Sequence, residues 1–341
     1  MSFMSHRLDI SEFLENAEPS LVIDVRSPGE FQQGHIPAAE NVPLFTDAER
    51  ARIGTCYKQQ GRQPAIMLGL DIVGPKMRSL AEQAQQLASD RGPLVHCWRG
   101  GMRSSSFAWL LEQIGMSPCT LIGGYRSFRR AAQAAFEVER PIIVLAGMTG
   151  AGKTKMLHGL ASAGEQTLDL EQLANHRGSS FGGIGLPPQP TCEQFENELF
   201  MRLRELDPAK PVWIEDESPS IGKVRVPDKF WWSMRQSPAI FLDVSRQQRA
   251  MNLAQEYGRL DGVELEAATL RLEQKLGRIR TKELTTALRH GDMHAVALGL
   301  LAYYDKTYSH AAAKRPRQHV HRLSGDITVD RIIQFAAEHV C

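Results

Sequence analysis

The feature that most constrains the fold is the octapeptide Gly-Met-Thr-Gly-Ala-Gly-Lys-Thr at residues 147–154, which directly follows the apolar run Ile142 to Ala146. This is the pattern GxxxxGK[ST] between a buried strand and a helix, where successive backbone amides surround phosphate oxygens. Lys153 is expected to reach a terminal phosphate and Thr154 to bind magnesium. The predicted phosphate-binding residues are Gly147, Thr149, Gly150, Gly152, Lys153 and Thr154.

A later strand in the same part of the chain ends in carboxylates. Residues 212–218 read Val-Trp-Ile-Glu-Asp-Glu-Ser, so apolar residues give way to acidic ones. This is the form of the strand that supports magnesium beside a phosphate-binding loop. Glu215 or Asp216 is expected to support the magnesium shell or to activate a group near the loop, with Thr154 and Asp216 as the predicted metal ligands. The alternative is an acidic strand end that is merely solvated.

Between these two strands lies a stretch too rich in glycine for regular structure. Residues 175–185 read Asn-His-Arg-Gly-Ser-Ser-Phe-Gly-Gly-Ile-Gly, which is typical of a binding loop. His176, Arg177 and Ser179 are predicted phosphate or substrate contacts. A plain surface connection is an equally good interpretation of the same residues.

A second chemical loop lies nearer the N-terminus. Residues 94–106 read Leu-Val-His-Cys-Trp-Arg-Gly-Gly-Met-Arg-Ser-Ser-Ser, which predicts a strand, a loop and a helix with Cys97 at the strand exit. Arg99, Arg103 and the helix N-terminus are expected to lower the pKa of Cys97, giving a thiolate nucleophile. The alternative is an inert buried cysteine, which the two arginines and two glycines beside it disfavour.

Strands and helices alternate in both halves of the chain, which predicts an α/β fold with parallel sheets. The 341 residues, 42% of them hydrophobic, suffice for more than one core. We predict a domain at residues 1–136, an α/β domain with the phosphate-binding loop at 137–260, and a helical, basic part at 261–341 packed on the second domain. Residues 46–74 are expected to form an irregular or helical insertion.

Composition indicates the compartment but not the ligand. Five widely spaced cysteines without a CxxC pair favour a reducing compartment over disulfides or a zinc site. The N-terminus has charges where a signal peptide needs an apolar core, and no run approaches membrane-spanning length. A cytoplasmic protein without a membrane partner is therefore expected.

Basic residues are concentrated toward the C-terminus, although the formal net charge is only +1. They recur through residues 264–308, and a compact basic run occupies residues 314–322. An RNA-binding surface would have this footprint, and so would an ordinary solvated face. The arginines that open the preceding helix, Arg246 and Arg249, are predicted to face the phosphate-binding site.

The first 136 residues resemble a rhodanese domain. The resemblance is carried by Leu21 to Arg26, by Gly34-His-Ile-Pro-Ala-Ala39, by His96-Cys97 with Arg103, and by Leu121 to Tyr125. Sulfur-transferring rhodaneses usually have four residues between the cysteine and the arginine, whereas this loop has five. The spacing His-Cys-x5-Arg is also the signature of cysteine phosphatases, and the longer loop admits a larger or phosphate-bearing substrate.

With the phosphate-binding P-loop that follows, the whole chain resembles the bacterial tRNA 2-selenouridine synthase family. The resemblance implies replacement of sulfur by selenium in wobble 2-thiouridine of the lysine, glutamate and glutamine tRNAs. It also implies selenophosphate as donor, geranylation of the sulfur from geranyl diphosphate, Cys97 as the catalytic cysteine, and transient contact with a selenophosphate-producing enzyme.

Two rival functions remain open at this stage. A cysteine phosphatase fused to a kinase-like ATPase would use the same Cys97 and Arg103 but would hydrolyse an aryl phosphate and turn over ATP. An RNA-binding adaptor would leave both chemical loops without a purpose.

Overall fold

A computed structural model describes residues 6–17, 20–88, 92–312 and 319–340. The chain divides into two compact units, Met1–Ala135 and Phe136–Cys341. Each contains a five-stranded sheet, which confirms the predicted fold class of two α/β units followed by a helical part. Among the described helices, none combines the length and the apolar character that crossing a bilayer requires.

The first unit is an α/β sheet with helices between its strands. Its elements are β1 (His6–Leu8), α1 (Ile10–Glu15), β2 (Leu21–Asp24), α2 (Pro28–Gln33), β3 (Glu40–Asn41), α3 (Asp47–Gln60), α4 (Arg62–Val73), a 3-10 turn (Gly74–Lys76), α5 (Met77–Ala88), β4 (Pro93–His96), α6 (Met102–Gln113), β5 (Cys119–Leu121) and α7 (Tyr125–Ala135). The strand order is β1-β5-β4-β2-β3 and every pairing is parallel. Its central strands β4 and β2 are buried throughout, as near-continuous apolar runs require.

The insertion at residues 46–74 is helical rather than irregular. Thr46 and Glu49 form a capping box that starts α3, since each side chain accepts a hydrogen bond from the other residue's backbone N–H. Lys76 donates to Glu49 at 2.7 Å and ties the end of the insertion to its beginning. The positive φ of Gly61, +92°, marks the turn between α3 and α4.

The second unit has a five-stranded sheet and an additional two-stranded hairpin. Its elements are β6 (Ile142–Gly147), α8 (Lys153–Ser162), β7 (Gln166–Leu168), α9 (Leu170–Leu173), α10 (Cys192–Glu205), β8 (Val212–Glu215), β9 (Ser220–Ile221), β10 (Val224–Arg225), α11 (Asp228–Gln236), β11 (Ala239–Asp243), α12 (Arg246–Tyr257), α13 (Gly262–Arg271), α14 (Glu273–Leu276), α15 (Arg278–Arg289), α16 (Met293–Ala312), β12 (Val320–Ser324) and α17 (Val329–His339). The order of the larger sheet is β12-β11-β6-β8-β7, again with parallel pairings. The predicted strand at 166–170 ends two residues earlier, at Leu168, because Asp169 caps α9.

This strand order places the two predicted motifs side by side. Strand β6 lies between β11 and β8, with Leu145 opposite Glu215 and Gly147 opposite Leu242. The carboxyl ends of parallel strands meet at one edge of a sheet, where ligands of α/β folds bind. The loop that begins at Gly147 therefore adjoins the acidic end of β8.

The part of the chain after residue 261 contributes to both helices and sheet. Helices α13, α15 and α16 share a hydrophobic core with α12, formed among others by Leu253, Leu265, Leu284 and Leu300. The sequence did not predict β12, which pairs with β11 at the edge of the sheet. Residues 313–318, which include most of the basic run, lie outside the described residues.

Candidate functional site

Cys97 lies at the carboxyl edge of the first sheet, directly after β4. Its backbone carbonyl accepts a 2.8 Å hydrogen bond from the Tyr125 amide, which fixes the start of the loop. The Ser104 hydroxyl, in the first turn of α6, lies 3.3 Å from the Cys97 sulfur. Since Ser104 is fully buried, solvent does not compete for this contact.

The surroundings of Cys97 favour its thiolate. Burial raises the pKa of the thiol, but the Ser104 hydroxyl, the charge of Arg103 and the backbone N–H groups of Ser104 and Arg99 more than offset it, so that the net pKa is lowered. The thiolate is the nucleophilic form of cysteine. The loop therefore supplies a nucleophile inside a ring of donors that can also bind an anion.

The structure differs from the sequence-based expectation at two points of this loop. Cys97 is only 3% exposed, whereas its arginine and glycine neighbours had argued against burial. Arg99 is exposed, and its contribution to the lowered pKa of Cys97 comes from the backbone N–H. Cys97 belongs to the hydrophobic core of the first unit, and the backbone N–H groups of Ser104 and Arg99 still lower the pKa of its thiol, so burial and reactivity are compatible here.

Arg103 is held by a partner that sequence reasoning missed. Its Nη1 donates to Glu30 Oε2 at 2.8 Å, and Glu30 belongs to α2, far away in the sequence. Burial alone would raise the pKa of Glu30. Hydrogen bonds and charge from Arg103, with a hydrogen bond from the Ser27 amide, outweigh burial, so the pKa of Glu30 lies below its usual value. The carboxylate is therefore charged at neutral pH and fixes the guanidinium near the Cys97 loop.

Two glycines let this loop pack against the turn before α7. Gly100 and Gly124 have φ of +63° and +60°. A Cβ on Gly124 would overlap the Cys97 carbonyl and the Gly100 amide, and one on Gly100 would overlap the Leu121 carbonyl. Neither position tolerates a side chain without moving the loop.

The P-loop of the second unit has the conformation that its motif predicts. Gly150 and Gly152 have φ of +79° and +82°, and Gly152 caps α8, whose first residues are Lys153 and Thr154. A Cβ on Gly150 would lie 2.7 Å from the Arg249 carbonyl oxygen. The backbone amides of the loop and the start of α8 thus form an anion-binding turn.

Helix α12 braces the P-loop from behind. Arg249 is buried and donates to the Thr149 carbonyl at 3.1 Å and to both carboxylate oxygens of Asp305 at 2.8 and 3.1 Å. Asn252 donates to the Gly150 carbonyl at 2.9 Å. The prediction that the helix arginines face the site was wrong, because Arg249 supports the backbone of the loop and Arg246 donates to the Leu298 carbonyl.

Nine of the predicted residues of the second unit line one cavity of about 1850 Å³. It gathers side chains from the P-loop, the glycine-rich loop and the end of β8, although these segments are far apart in sequence. The predicted residues that line it are Thr149, Gly150, Gly152, Lys153, Thr154, Arg177, Ser179, Glu215 and Asp216. Gly147 ends β6 just before the loop.

Of the three predicted contacts in the glycine-rich loop, His176 does not line the cavity, and Arg177 and Ser179 also have internal partners. Arg177 donates to the Ile184 carbonyl at 2.9 Å and pairs with Glu256 at 3.6 Å. The Ser179 hydroxyl accepts from the Phe181 amide at 3.2 Å. Both side chains line the cavity and also hold the loop in shape.

The first two acidic residues at the end of β8, Glu215 and Asp216, have different partners. Glu215 is 2% exposed and accepts a hydrogen bond from the Thr154 side chain, whereas Asp216 pairs with Arg235 at 3.4 Å. Of the two candidates, the structure therefore brings Glu215 to Thr154.

Two further carboxylates, Glu171 and Glu217, were not predicted and adjoin Glu215. Burial and the neighbouring carboxylates Glu217 and Glu215 raise the pKa of Glu171 to about 9. Burial and the charges of Glu215 and Asp216 also raise the pKa of Glu217 to about 7, although Lys153 opposes the change. The acidic run at residues 215–217 was the available sequence signal for Glu217; Glu171 had none.

Comparison with known proteins gives matches in both units. A family model described as the tRNA 2-selenouridine synthase AAA domain matches residues 140–268, and a rhodanese-like domain model matches residues 9–131. A tRNA 2-selenouridine synthase of Aeromonas salmonicida (strain A449) is 34% identical, covering 93% of this chain and 93% of that protein. One from Nitrosomonas europaea is 38% identical over 69% of this chain and 63% of that protein. A solved rhodanese-related protein from Thermoplasma volcanium is 20% identical and covers 37% of this chain and 91% of that chain, with a TM-score of 0.24.

Proposed function

The chain belongs to the tRNA 2-selenouridine synthase family, and from this premise we propose that it replaces the sulfur of wobble 2-thiouridine in tRNA by selenium. The observation that carries the proposal is the presence in one chain of a thiolate-favouring Cys97 loop and a P-loop cavity. The resemblance inferred from the motifs is confirmed at the level of the family.

The P-loop cavity is proposed to activate the sulfur by geranylation. Its amides and Lys153 would bind the diphosphate of geranyl diphosphate, so that charge builds up on a leaving group surrounded by donors. The allylic C–O bond breaks, a C–S bond to the thiouridine forms, and the uridine loses its N3 proton. The neutral thioether at C2 then departs as a thiolate, which a thiocarbonyl sulfur cannot do.

Magnesium fits the donors present, because a hydroxyl and carboxylates are the hard oxygen ligands that it prefers. Thr154 and the acidic end of β8 would hold it. When bound, it would neutralise charge on the diphosphate. The positive charge of Lys153 would attract the same phosphate oxygens.

Cys97 is proposed to act on the phosphorus of selenophosphate. Its thiolate attacks phosphorus, the P–Se bond breaks, and hydrogen selenide leaves to displace the geranyl thiolate at C2. Phosphorus and selenium keep their oxidation states in this step. A thiolate that attacked selenium instead would expel phosphorus in a reduced state, as phosphite, and release of phosphate by that route would need an oxidant. The spacing His-Cys-x5-Arg suits attack at phosphorus, because the loop amides and Arg103 can hold phosphoryl oxygens.

Ser104 suits the second half of this step, in which water releases phosphate from the Cys97 sulfur. Its hydroxyl, 3.3 Å from the sulfur, can donate to the departing thiolate. Arg99 would add positive charge at the loop entrance. From 2-thiouridine, geranyl diphosphate and selenophosphate, the net reaction consumes one water and yields selenouridine, geranyl thiol, diphosphate and phosphate.

The proposed RNA partners are the lysine, glutamate and glutamine tRNAs, with a selenophosphate-producing enzyme as a transient partner in the cytoplasm. Support for RNA contact comes from exposed basic residues of the helical part. Four of them, on α13 to α15, are Arg271, Lys275, Arg280 and Lys282. They offer charge for phosphate contacts.

The proposal is tested with purified full-length chain, 2-thiouridine tRNA, geranyl diphosphate and selenophosphate. We expect nucleoside mass spectrometry to detect 2-selenouridine with all substrates present. S-geranyl-2-thiouridine should accumulate when selenophosphate is omitted. Absence of both products with a folded chain would contradict the proposal. Hydrolysis of an aryl phosphate with ATP turnover, and no change in tRNA, would favour the phosphatase and kinase alternative.

A further inference from the structure

Three carboxylates from two segments of the second unit converge beside the P-loop. Glu171 follows β7 in the short helix α9, Glu215 ends β8, and Glu217 comes two residues later. One carboxylate oxygen from each lies within 4.8 Å of those of the other two. All three side chains line the cavity that contains Lys153.

Glu215 is the least solvated of the three. It is 2% exposed, and its Oε1 is buried without a hydrogen-bond partner. Nearly all buried polar atoms in folded proteins have a partner, and an exception calls for a missing ligand or ion. Because Oε1 belongs to a carboxylate, the missing group is a donor or a cation.

The glycine-rich loop leaves room for the cluster. Gly178, with φ of +66°, lies directly over it: a Cβ there would be 2.7 Å from Glu171 Oε1 and 3.2 Å from Glu217 Oε2. The backbone thus closes one side of the carboxylate cluster without a side chain entering it.

The charges of the cavity create a conflict that a cation resolves. The P-loop turn and Lys153 attract phosphate, whereas the adjacent carboxylates repel it when they are ionised. Lys153 faces all three carboxylates, but one positive charge cannot balance an ionised cluster and a diphosphate as well.

We propose that Glu171, Glu215 and Glu217 together bind one hard divalent cation, Mg²⁺ or Mn²⁺, which joins the carboxylates to phosphate oxygens at the P-loop. Ligand oxygens around magnesium lie about 3 to 4 Å apart, because each bond is about 2.1 Å long, and small side-chain movements bring the three oxygens to that spacing. Asp216, the ligand that the motif predicts, is paired with Arg235 instead. Only the bridging role rests on the proposed function; binding of the cation does not.

The test is titration of the metal-free full-length chain with Mn²⁺ alone, followed by electron paramagnetic resonance at about pH 8, because binding displaces protons from the carboxylates and is tighter at higher pH. We expect one tightly bound Mn²⁺ per chain. Glu171→Gln and Glu217→Gln should each weaken binding about tenfold or more. The control Glu283→Gln removes an exposed carboxylate of α15 and should bind as the wild type does. Wild-type affinity in both cluster variants would overturn the proposal.

Thermal unfolding supplies a second, independent readout. In chelator, the Gln variants should melt at higher temperature than the wild type, because they relieve repulsion among the carboxylates. In Mn²⁺ the wild type should melt at the higher temperature, because only the wild type gains stability from the ion. If the Gln variants still melt at higher temperature than the wild type in Mn²⁺, the proposal is also overturned. Since no tRNA is present, failure of tRNA modification with intact Mn²⁺ binding would contradict the proposed function alone.

Discussion

At the scale of single residues, Ser104 decides how reactive Cys97 is. We expect Ser104→Ala to raise the pKa of Cys97, because it removes the largest of the contributions that offset burial. The thiolate exists above its pKa, so the acid side of the activity profile should move to higher pH. At neutral pH, alkylation by a small reagent should slow about tenfold or more, since a hydrogen bond to a charged group contributes about 1.5–3 kcal/mol.

The measurement is the ultraviolet absorption of the thiolate across a pH titration, together with the alkylation rate. Ser105→Ala is the matched control, because Ser105 is the next residue and its exposed hydroxyl donates to the Gly101 carbonyl. An equal effect of both variants would contradict the role assigned to Ser104.

Reactive residues could be predicted from the sequence where they belong to a motif whose residue types and spacing have a chemical reason. Cys97, Arg103 and Lys153 are of this kind, since each belongs to a motif with a physical reason for its spacing. Glu30 and Glu171 could not be found, because they reach their sites through folding and belong to no motif. Burial of Cys97 was misjudged for the same reason, since the hydrophobic core that contains it gathers side chains from distant parts of the sequence.

At the scale of elements, the P-loop depends on its attachment to α12 and α16. Asp305→Asn should leave Arg249 buried without a full counter-charge and weaken its hold on the Thr149 carbonyl. Because Asp305 is a quarter exposed, we expect a loss of about 1–3 kcal/mol in the free energy of unfolding, less than for a fully buried pair. The affinity of the P-loop for diphosphate should also fall, because Arg249 holds the Thr149 carbonyl of the loop less firmly.

Urea unfolding and calorimetric titration with inorganic diphosphate measure the two effects. Asp71→Asn, at an exposed position of α4, should change stability by less than about 0.5 kcal/mol. Unchanged diphosphate affinity in the Asp305 variant would show that the P-loop keeps its shape without this brace.

Elements that form continuous apolar runs could be predicted from the sequence, whereas an edge strand could not. Strand β6 and the buried part of β8 are continuous apolar runs, so their type and neighbours followed from the sequence. Strand β12 reads Val-His-Arg-Leu-Ser, and only Leu323 is buried. An edge strand needs few apolar residues because one side has no neighbour, and its pairing with β11 became visible only in the sheet.

At the scale of the whole molecule, the chain carries two chemical loops in two compact units, each at the carboxyl edge of its own parallel sheet. The family resemblance was carried by this combination, since neither motif alone is specific. The division of labour makes a prediction about variants that lack one site each. Cys97→Ala should still geranylate 2-thiouridine tRNA and accumulate that product. Lys153→Ala should not geranylate, but it should convert pre-geranylated tRNA to the selenouridine form.

Mixed together, the two variants should restore selenouridine formation from 2-thiouridine tRNA, because the tRNA released by one is a substrate for the other. Nucleoside mass spectrometry over time would show the geranylated form rising first and selenouridine following after a lag. The rate should rise with the concentration of either variant, since the intermediate must dissociate and rebind. A double variant, Cys97→Ala with Lys153→Ala, is the control and should form neither product. If the mixture stays inactive although each variant performs its own step, the intermediate does not leave the chain. If Lys153→Ala also fails on pre-geranylated tRNA, Lys153 serves both steps and the division of labour is wrong.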